Sequence, residues 1–130
     1  YTQPWAIYQG DVRVGVEPGT TGAAFAAEEL GDAQVVNYAS PEAAFGGLRK
    51  DEIDVYIHDA PTSWQLATQD GNEDLISLYH PLTQEQLAWA VAKENGALIV
   101  DINRALAKMK RNGTLSYILH RWIPVRVAVK

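Results

Sequence analysis

A chain of 130 residues, 47% of them hydrophobic and 21% charged, is long enough for one compact core and too apolar to be disordered. Its formal net charge of -5 argues against a nucleic-acid partner, which would require a basic face. The absence of cysteine excludes disulfides and thiolate metal sites, and the three histidines lie far apart in the sequence. We therefore expect neither a metal site nor another cofactor.

The first strand and helix form the most informative stretch of the chain. Valines alternate with other residues over 12–16, which is the period of a β-strand. The breaker pair Pro18-Gly19 ends this strand, and Thr20 or Thr21 can cap the helix that follows. The first N–H groups of a helix are unpaired, and together with the helix dipole they favour a carboxylate or a phosphate. An ordinary strand-to-helix turn, in which the threonines only cap the helix, explains the same residues.

The other elements follow from alternation, helical periodicity and breaker residues. An aromatic segment over 1–9 is interpreted as extended chain or a linker. Further strands are predicted over 34–38, 53–58, 75–79 and 87–92, and helices over 22–30, 41–48, 61–68, 98–109 and 115–122. The last residues, 125–130, form a tail that could pair as another strand.

This order of strands and helices predicts an α/β fold: three αβα layers with a mainly parallel, five-stranded sheet, followed by C-terminal helices. Ligands of such sheets bind outside the carboxyl ends of the strands. The turn from Gly19 to Gly22 and the residue Asp59 both belong at that edge. Anion-binding donors beside a carboxylate suit a zwitterion, whose ammonium group would bind Asp59. The alternative is that Asp59 only caps the helix containing Pro61.

Three segments of the chain carry a resemblance to a known family. They are residues 14–22 (VGVEPGTTG), residues 53–61 (IDVYIHDAP), and residues 87–122, which contain NRAL and GTLSYILHRW. In order and spacing they resemble the second lobe and C-terminal helices of the type II periplasmic solute-binding proteins of amino-acid ABC transporters. The family's first lobe, with its aromatic clamp and its arginine, has no counterpart before this region.

The resemblance implies a role for each candidate site residue. Thr20 and Thr21, with the backbone N–H groups of the turn at Gly19, would bind a ligand's α-carboxylate, and Asp59 would bind its α-ammonium. Glu17 stands where many relatives have a polar or basic residue. It is either a solvated strand end or a group that selects a ligand with a cationic side chain.

The resemblance also implies an organisation and a setting. Residues 1–92 would form the ligand-binding lobe, and residues 93–130 a helical segment that normally packs on the absent first lobe. The apolar faces of these helices would fold back, exchange into a partner or stay exposed, which predicts a homodimer. The expected protein is bacterial, periplasmic or extracellular, binds a polar amino acid and delivers it to a membrane permease.

Three alternatives to a transport role stay open. One is a ligand-sensing domain of a larger receptor or cell-wall enzyme, and another is a plain flavodoxin-like interaction domain. The third is a dehydratase of the same fold, for which Glu17 is the leading candidate acid and His58 a weaker one. Because side chains alternate along a strand, His58 is expected to point away from the cleft. No nucleophile–base pair is visible, so we expect no catalytic residue and no enzyme activity.

Overall fold

The computed structural model describes residues 4–8, 10–78 and 80–123. The chain divides into two compact units, Tyr1–Leu82 and Thr83–Lys130. The first is an α/β unit, and the described residues of the second form helices and irregular chain. Among the described residues, no helix has the length and apolarity needed to cross a membrane.

The first unit is built on a three-stranded parallel sheet. After a short 3-10 helix, Pro4–Tyr8, its elements are β1 (Arg13–Val16), α1 (Thr21–Glu29), β2 (Gln34–Asn37), α2 (Pro41–Arg49), β3 (Val55–Ile57) and α3 (Ala60–Ala67). The strand order is β2-β1-β3, so β1 is central. Its partners run parallel to it on both sides, with Val14 opposite Val35 and Val55.

One face of this sheet packs against α1. The valines of β1 and the residue before it are completely buried, and they join helix and strand side chains in one core: Ile7, Val12, Val14, Val16, Phe25, Ala26, Leu30 and Ile57. The alternation of valines that predicts β1 therefore also identifies its buried face. Ile7 is buried in this core, so the described part of the N-terminal segment, the 3-10 helix Pro4–Tyr8, is neither extended chain nor a linker, and residues 1–3 and 9 lie outside the described part.

The opposite face of the sheet packs against α2. The ring of Phe45 meets the ring of Tyr56 edge-on, with centroids 6.1 Å apart. The side chain of Tyr38 leaves no room for a β-carbon at Gly47, and Cδ1 of Ile53 leaves none at Gly15. Since α1 and α2 cover opposite faces, this unit has the predicted three layers.

The second unit contains two helices, α4 (Gly96–Arg111) and α5 (Thr114–Trp122). Asn95 caps α4, because its side-chain oxygen accepts a hydrogen bond from the N–H of Leu98. The connection between the helices passes through Gly113, whose φ of 80° suits glycine. No residue of either helix is buried, so their apolar side chains are at least partly accessible.

The predicted five-stranded sheet is wrong for the described residues. Neither 75–78 nor 87–92 forms a strand, and residue 79 lies outside the described part of the chain. A strand needs a neighbouring backbone that completes its hydrogen bonds, and alternation alone cannot supply one. In the second unit the described residues offer 87–92 no strand to pair with. The tail predicted over 125–130 lies outside the described residues.

An ion pair joins the starts of β1 and β3, and it predicts acid sensitivity. Arg13 binds the carboxylate of Asp54 through Nε and Nη2, at 3.0 and 2.8 Å. The hydrogen bonds from Arg13 hold the pKa of Asp54 below its usual range. A depressed carboxyl pKa stabilises the fold above the pKa of the unfolded chain, about 4, and this stability is lost as the pH falls through the folded pKa.

Replacement of Asp54 by Asn is therefore expected to lower the urea midpoint of unfolding at pH 7, and the difference from wild type should shrink as the pH falls below about 4. Asp51→Asn is the control, because the Asp51 side chain also pairs with Arg13 but is 90% exposed. It should have the smaller effect. Equal effects of the two variants at pH 7 would contradict the assignment.

Candidate functional site

The carboxyl ends of β1 and β3 meet at one edge of the sheet. The two strands are parallel neighbours, and Val16, the last residue of β1, lies opposite Ile57, the last residue of β3. The residues that follow, Glu17 on one side and His58-Asp59 on the other, therefore lie beside each other. Within the first unit, the structure brings together the segments that contain the predicted site residues.

The turn after β1 is held by its own polar groups. Gly19 has a φ of 80°, a conformation that side-chain-bearing residues rarely adopt. Thr20 is the N-cap of α1: its Oγ1 accepts a hydrogen bond from the N–H of Ala23 at 3.2 Å and donates one to the carbonyl of Glu17 at 2.7 Å. The prediction that a threonine caps this helix is confirmed, and the hydroxyl of Thr20 is engaged within the turn.

The donors that the cap leaves free belong to the next two residues. Thr21 and Gly22 are the first two residues of α1. The carbonyl four residues before each of them lies outside the helix, so neither amide has an intrahelical acceptor. Within the described residues, neither amide has a hydrogen-bond partner. These two N–H groups and the positive end of the helix dipole can receive an anion.

Asp59 supplies the negative charge at the same edge. It is the N-cap residue of α3, yet its side chain makes no capping hydrogen bond. The residue is exposed, and its carboxylate forms no ion pair within the described part of the chain. The alternative in which Asp59 serves as the side-chain cap of α3 is thus not observed, and the carboxylate is available to a cation.

Two contacts at this edge were not anticipated from the sequence. His58 Nε2 lies 3.3 Å from Glu17 Oε2. The side chain of His58 therefore faces the candidate residue Glu17, and the expectation that it points away from the site is wrong. The ring of His58 also packs on the ring of Tyr56, with centroids 5.6 Å apart. Residues that directly follow paired strand ends share a face, but the register that pairs Val16 with Ile57 is known only from the structure.

Because its phenol is largely shielded from water, Tyr56 is expected to lose its proton at a higher pH than an ordinary tyrosine. Burial raises the pKa of Tyr56 to about 12, and the nearby carboxylates of Glu17, Glu42 and Asp59 add to the shift. The folded state therefore favours the neutral phenol. The associated stability is complete below the unfolded pKa, about 10, and is lost as the pH rises towards 12.

In a spectrophotometric titration, Tyr56→Phe is expected to remove absorbance that develops last, above pH 11. The control is Tyr117→Phe, which removes a phenol that is 66% exposed. If both variants remove the same part of the titration curve, the environment assigned to Tyr56 is incorrect.

This edge of the sheet presents hydrogen-bond donors with partial positive charge at one position and a negatively charged carboxylate at another. Free amides and a helix dipole lie at the start of α1, and an unpaired carboxylate lies at the start of α3. No group of three or more His, Cys, Asp or Glu that could hold a metal ion occurs among the described residues.

The chain is similar in sequence to two curated binding proteins. It is 32% identical over 118 residues to ABC transporter arginine-binding protein 1 of Escherichia coli (strain K12). This match covers 86% of this chain and 47% of that protein. It is 30% identical over 105 residues to ABC transporter glutamine-binding protein GlnH of Bacillus subtilis (strain 168), covering 81% of this chain and 38% of that protein. The chain thus spans about half the length, or less, of these relatives.

No protein-family profile matches the chain. Among solved structures, the crystal structure of an ancestral cyclohexadienyl dehydratase, AncCDT-3(P188L), matches 92% of this chain and 49% of its own, with 25% identity and a TM-score of 0.49. A TM-score of this size assigns neither a fold nor an activity. The sequence relationships confirm the resemblance drawn from the three motifs: the chain is a homologue of the amino-acid-binding proteins of ABC transporters over most of its own length.

Proposed function

We propose that this chain binds a polar amino acid as part of an ABC-transporter solute-binding protein with the type II fold. The ligand's α-carboxylate accepts hydrogen bonds from the amides of Thr21 and Gly22, in the turn formed by Gly19 and Thr20. Its α-ammonium binds Asp59. The observation that carries the proposal is the pairing of free helix-start amides with an uncapped carboxylate on adjacent strand ends.

Glu17 is proposed to select the ligand's side chain. Its own side chain is 32% exposed, so one part of the carboxylate can accept a hydrogen bond while Oε2 contacts His58. Because the carboxylates of Glu17 and Asp59 lie at the same edge, the site favours a ligand whose side chain carries N–H donors and positive charge. Arginine fits this description best, and the amide of glutamine fits it through hydrogen bonding alone.

Binding proceeds without catalysis, the protein works outside the cytoplasmic membrane of a bacterium, and the bound amino acid passes to a membrane permease. The similarity to an arginine-binding and a glutamine-binding protein of ABC transporters supports this role. A sensor domain of a larger receptor is the alternative, and the sequence flanking this region in the full gene separates the two.

The test is a titration of the 15N-labelled chain with L-arginine and L-glutamine, followed through its amide signals. Two charge-assisted contacts of about 1.5–3 kcal/mol each give a dissociation constant between roughly 40 μM and 6 mM, a range that this method measures. The signals of Thr21, Gly22 and Asp59 should move and saturate. If neither amino acid moves them, the proposed site is wrong.

We also propose that the chain associates with a second copy of itself. Residues 1–82 contain thirteen acidic residues against three Lys or Arg, a net charge of -10, whereas 83–130 contain three against eight, a net charge of +5. The basic unit also exposes apolar side chains, with Trp122 72% and Tyr117 66% accessible. The acidic unit of one copy is therefore complementary to the basic, apolar unit of another.

Light scattering tests this association. The chain should form a dimer that dissociates as salt is added, and Trp122→Ser should weaken it. Trp5→Ser is the comparison: Trp5 is 60% exposed in the acidic unit, to which the proposed dimer assigns charge rather than apolar contact, so this change should weaken the dimer less than Trp122→Ser. A monomer at every protein concentration would rule out the dimer.

A further inference from the structure

Gly22 lies where the first turn of α1 touches the end of β3. A β-carbon on Gly22 would lie 3.0 Å from the carbonyl oxygen of Ile57 and 3.1 Å from its Cγ2. The backbone of Gly22 is helical, so its conformation does not call for glycine. Glycine in a helix is less favourable than alanine. The reason for a glycine here is therefore the close approach of helix to strand.

The strand side of this contact cannot move away. Ile57 is paired with Val16 in the sheet, and its side chain is only 9% exposed in the core against α1. The atom closest to a new methyl group would be a backbone oxygen rather than the end of a flexible side chain. A substituent at position 22 must therefore shift the start of α1 by a few tenths of an ångström.

We propose that Gly22 is a positioning residue, which sets the distance between the anion-binding amides at the start of α1 and the carboxylate of Asp59. Gly22 directly follows Thr21, and Ile57 lies two residues before Asp59, so one contact links both ends of the site. This inference rests on the proposed function. A ligand that binds both the amides and Asp59 depends on their separation, whereas a ligand that lacks the contact with Asp59 does not.

The test compares two probes on two variants. L-Arginine carries both the carboxylate and the α-ammonium, and 5-guanidinopentanoate is the same molecule without the α-amino group. We expect Gly22→Ala to weaken L-arginine binding at least fivefold and 5-guanidinopentanoate binding less than twofold. The matched control is Gly46→Ala, also in a helix, where a β-carbon meets nothing within 4 Å. It should change neither affinity.

Each other outcome overturns the inference. Equal weakening of both probes would mean that Gly22→Ala damages the anion site itself, and no weakening would mean that the spacing does not depend on this contact. Loss of the circular dichroism of the folded chain would show that Gly22 is needed for folding rather than for spacing.

A readout without ligand separates this inference from the proposed function. In the free chain, Gly22→Ala should move the amide signals of His58 and Asp59 as well as those of α1. Changes confined to α1 would overturn the inference. If wild type binds neither amino acid but these signals move, the proposed function fails while the structural coupling stands.

Discussion

Asp59→Ala is expected to weaken the binding of L-arginine by about 10- to 100-fold, since a hydrogen bond to a charged group contributes about 1.5–3 kcal/mol. The fold should be preserved, because the Asp59 side chain makes no capping bond and the residue is exposed. The measurement is the same amide titration, with the unfolding midpoint recorded alongside it.

A matched control separates the contact from the loss of charge. Asp32→Ala changes the net charge equally, but Asp32 is an exposed residue between α1 and β2, at the opposite edge of the sheet. It should leave the affinity for L-arginine almost unchanged. Identical titrations of wild type and Asp59→Ala would rule out Asp59 as the ammonium ligand.

Gly15→Ala is expected to destabilise the fold by about 1–3 kcal/mol, the usual cost of overpacking a core. The new methyl group would collide with Cδ1 of Ile53, which is 1% exposed, and would lie 3.3 Å from the ring of Tyr38. Ile53→Val removes that Cδ1 and alone should cost about 0.5–1.5 kcal/mol. Urea unfolding at pH 7 measures each change.

The double variant decides whether this contact is the cause. Gly15→Ala with Ile53→Val should cost clearly less than the two single changes added together, because the smaller side chain leaves space for the new methyl. Gly31→Ala is the control, since a β-carbon there meets nothing within 4 Å. Simple additivity of the two core changes would show that the Gly15 effect has another origin.

The first unit was largely predictable because its signals are local. Alternating valines mark β1, and Thr20 and Ser40 cap α1 and α2 as the helix-start pattern predicts. The strands predicted over 75–79 and 87–92 show the limit of this reasoning. Leu87 and Trp89 alternate with smaller side chains, yet they are 82% and 61% exposed, since alternation does not specify a pairing partner.

The site was predictable in its positions but not in its contacts. Glu17 and Asp59 follow strand ends, and parallel topology alone places them at one edge. That the hydroxyl of Thr20 is engaged inside the turn depends on the local geometry of the cap. The contact between His58 and Glu17 depends on which residues of β1 and β3 are opposite each other, and a sequence pattern does not specify this register.

The register of β1 against β3 restricts which length changes the chain can tolerate. Val16 and Ile57 face the core together, so Glu17 and His58 face the opposite side together. A single residue inserted within β3, before Tyr56, would exchange the two faces, turning Tyr56 and His58 towards α1 and Ile57 towards α2. Natural variation in length should therefore be sparse within the paired strands and concentrated in segments such as 68–74, which lie outside the sheet.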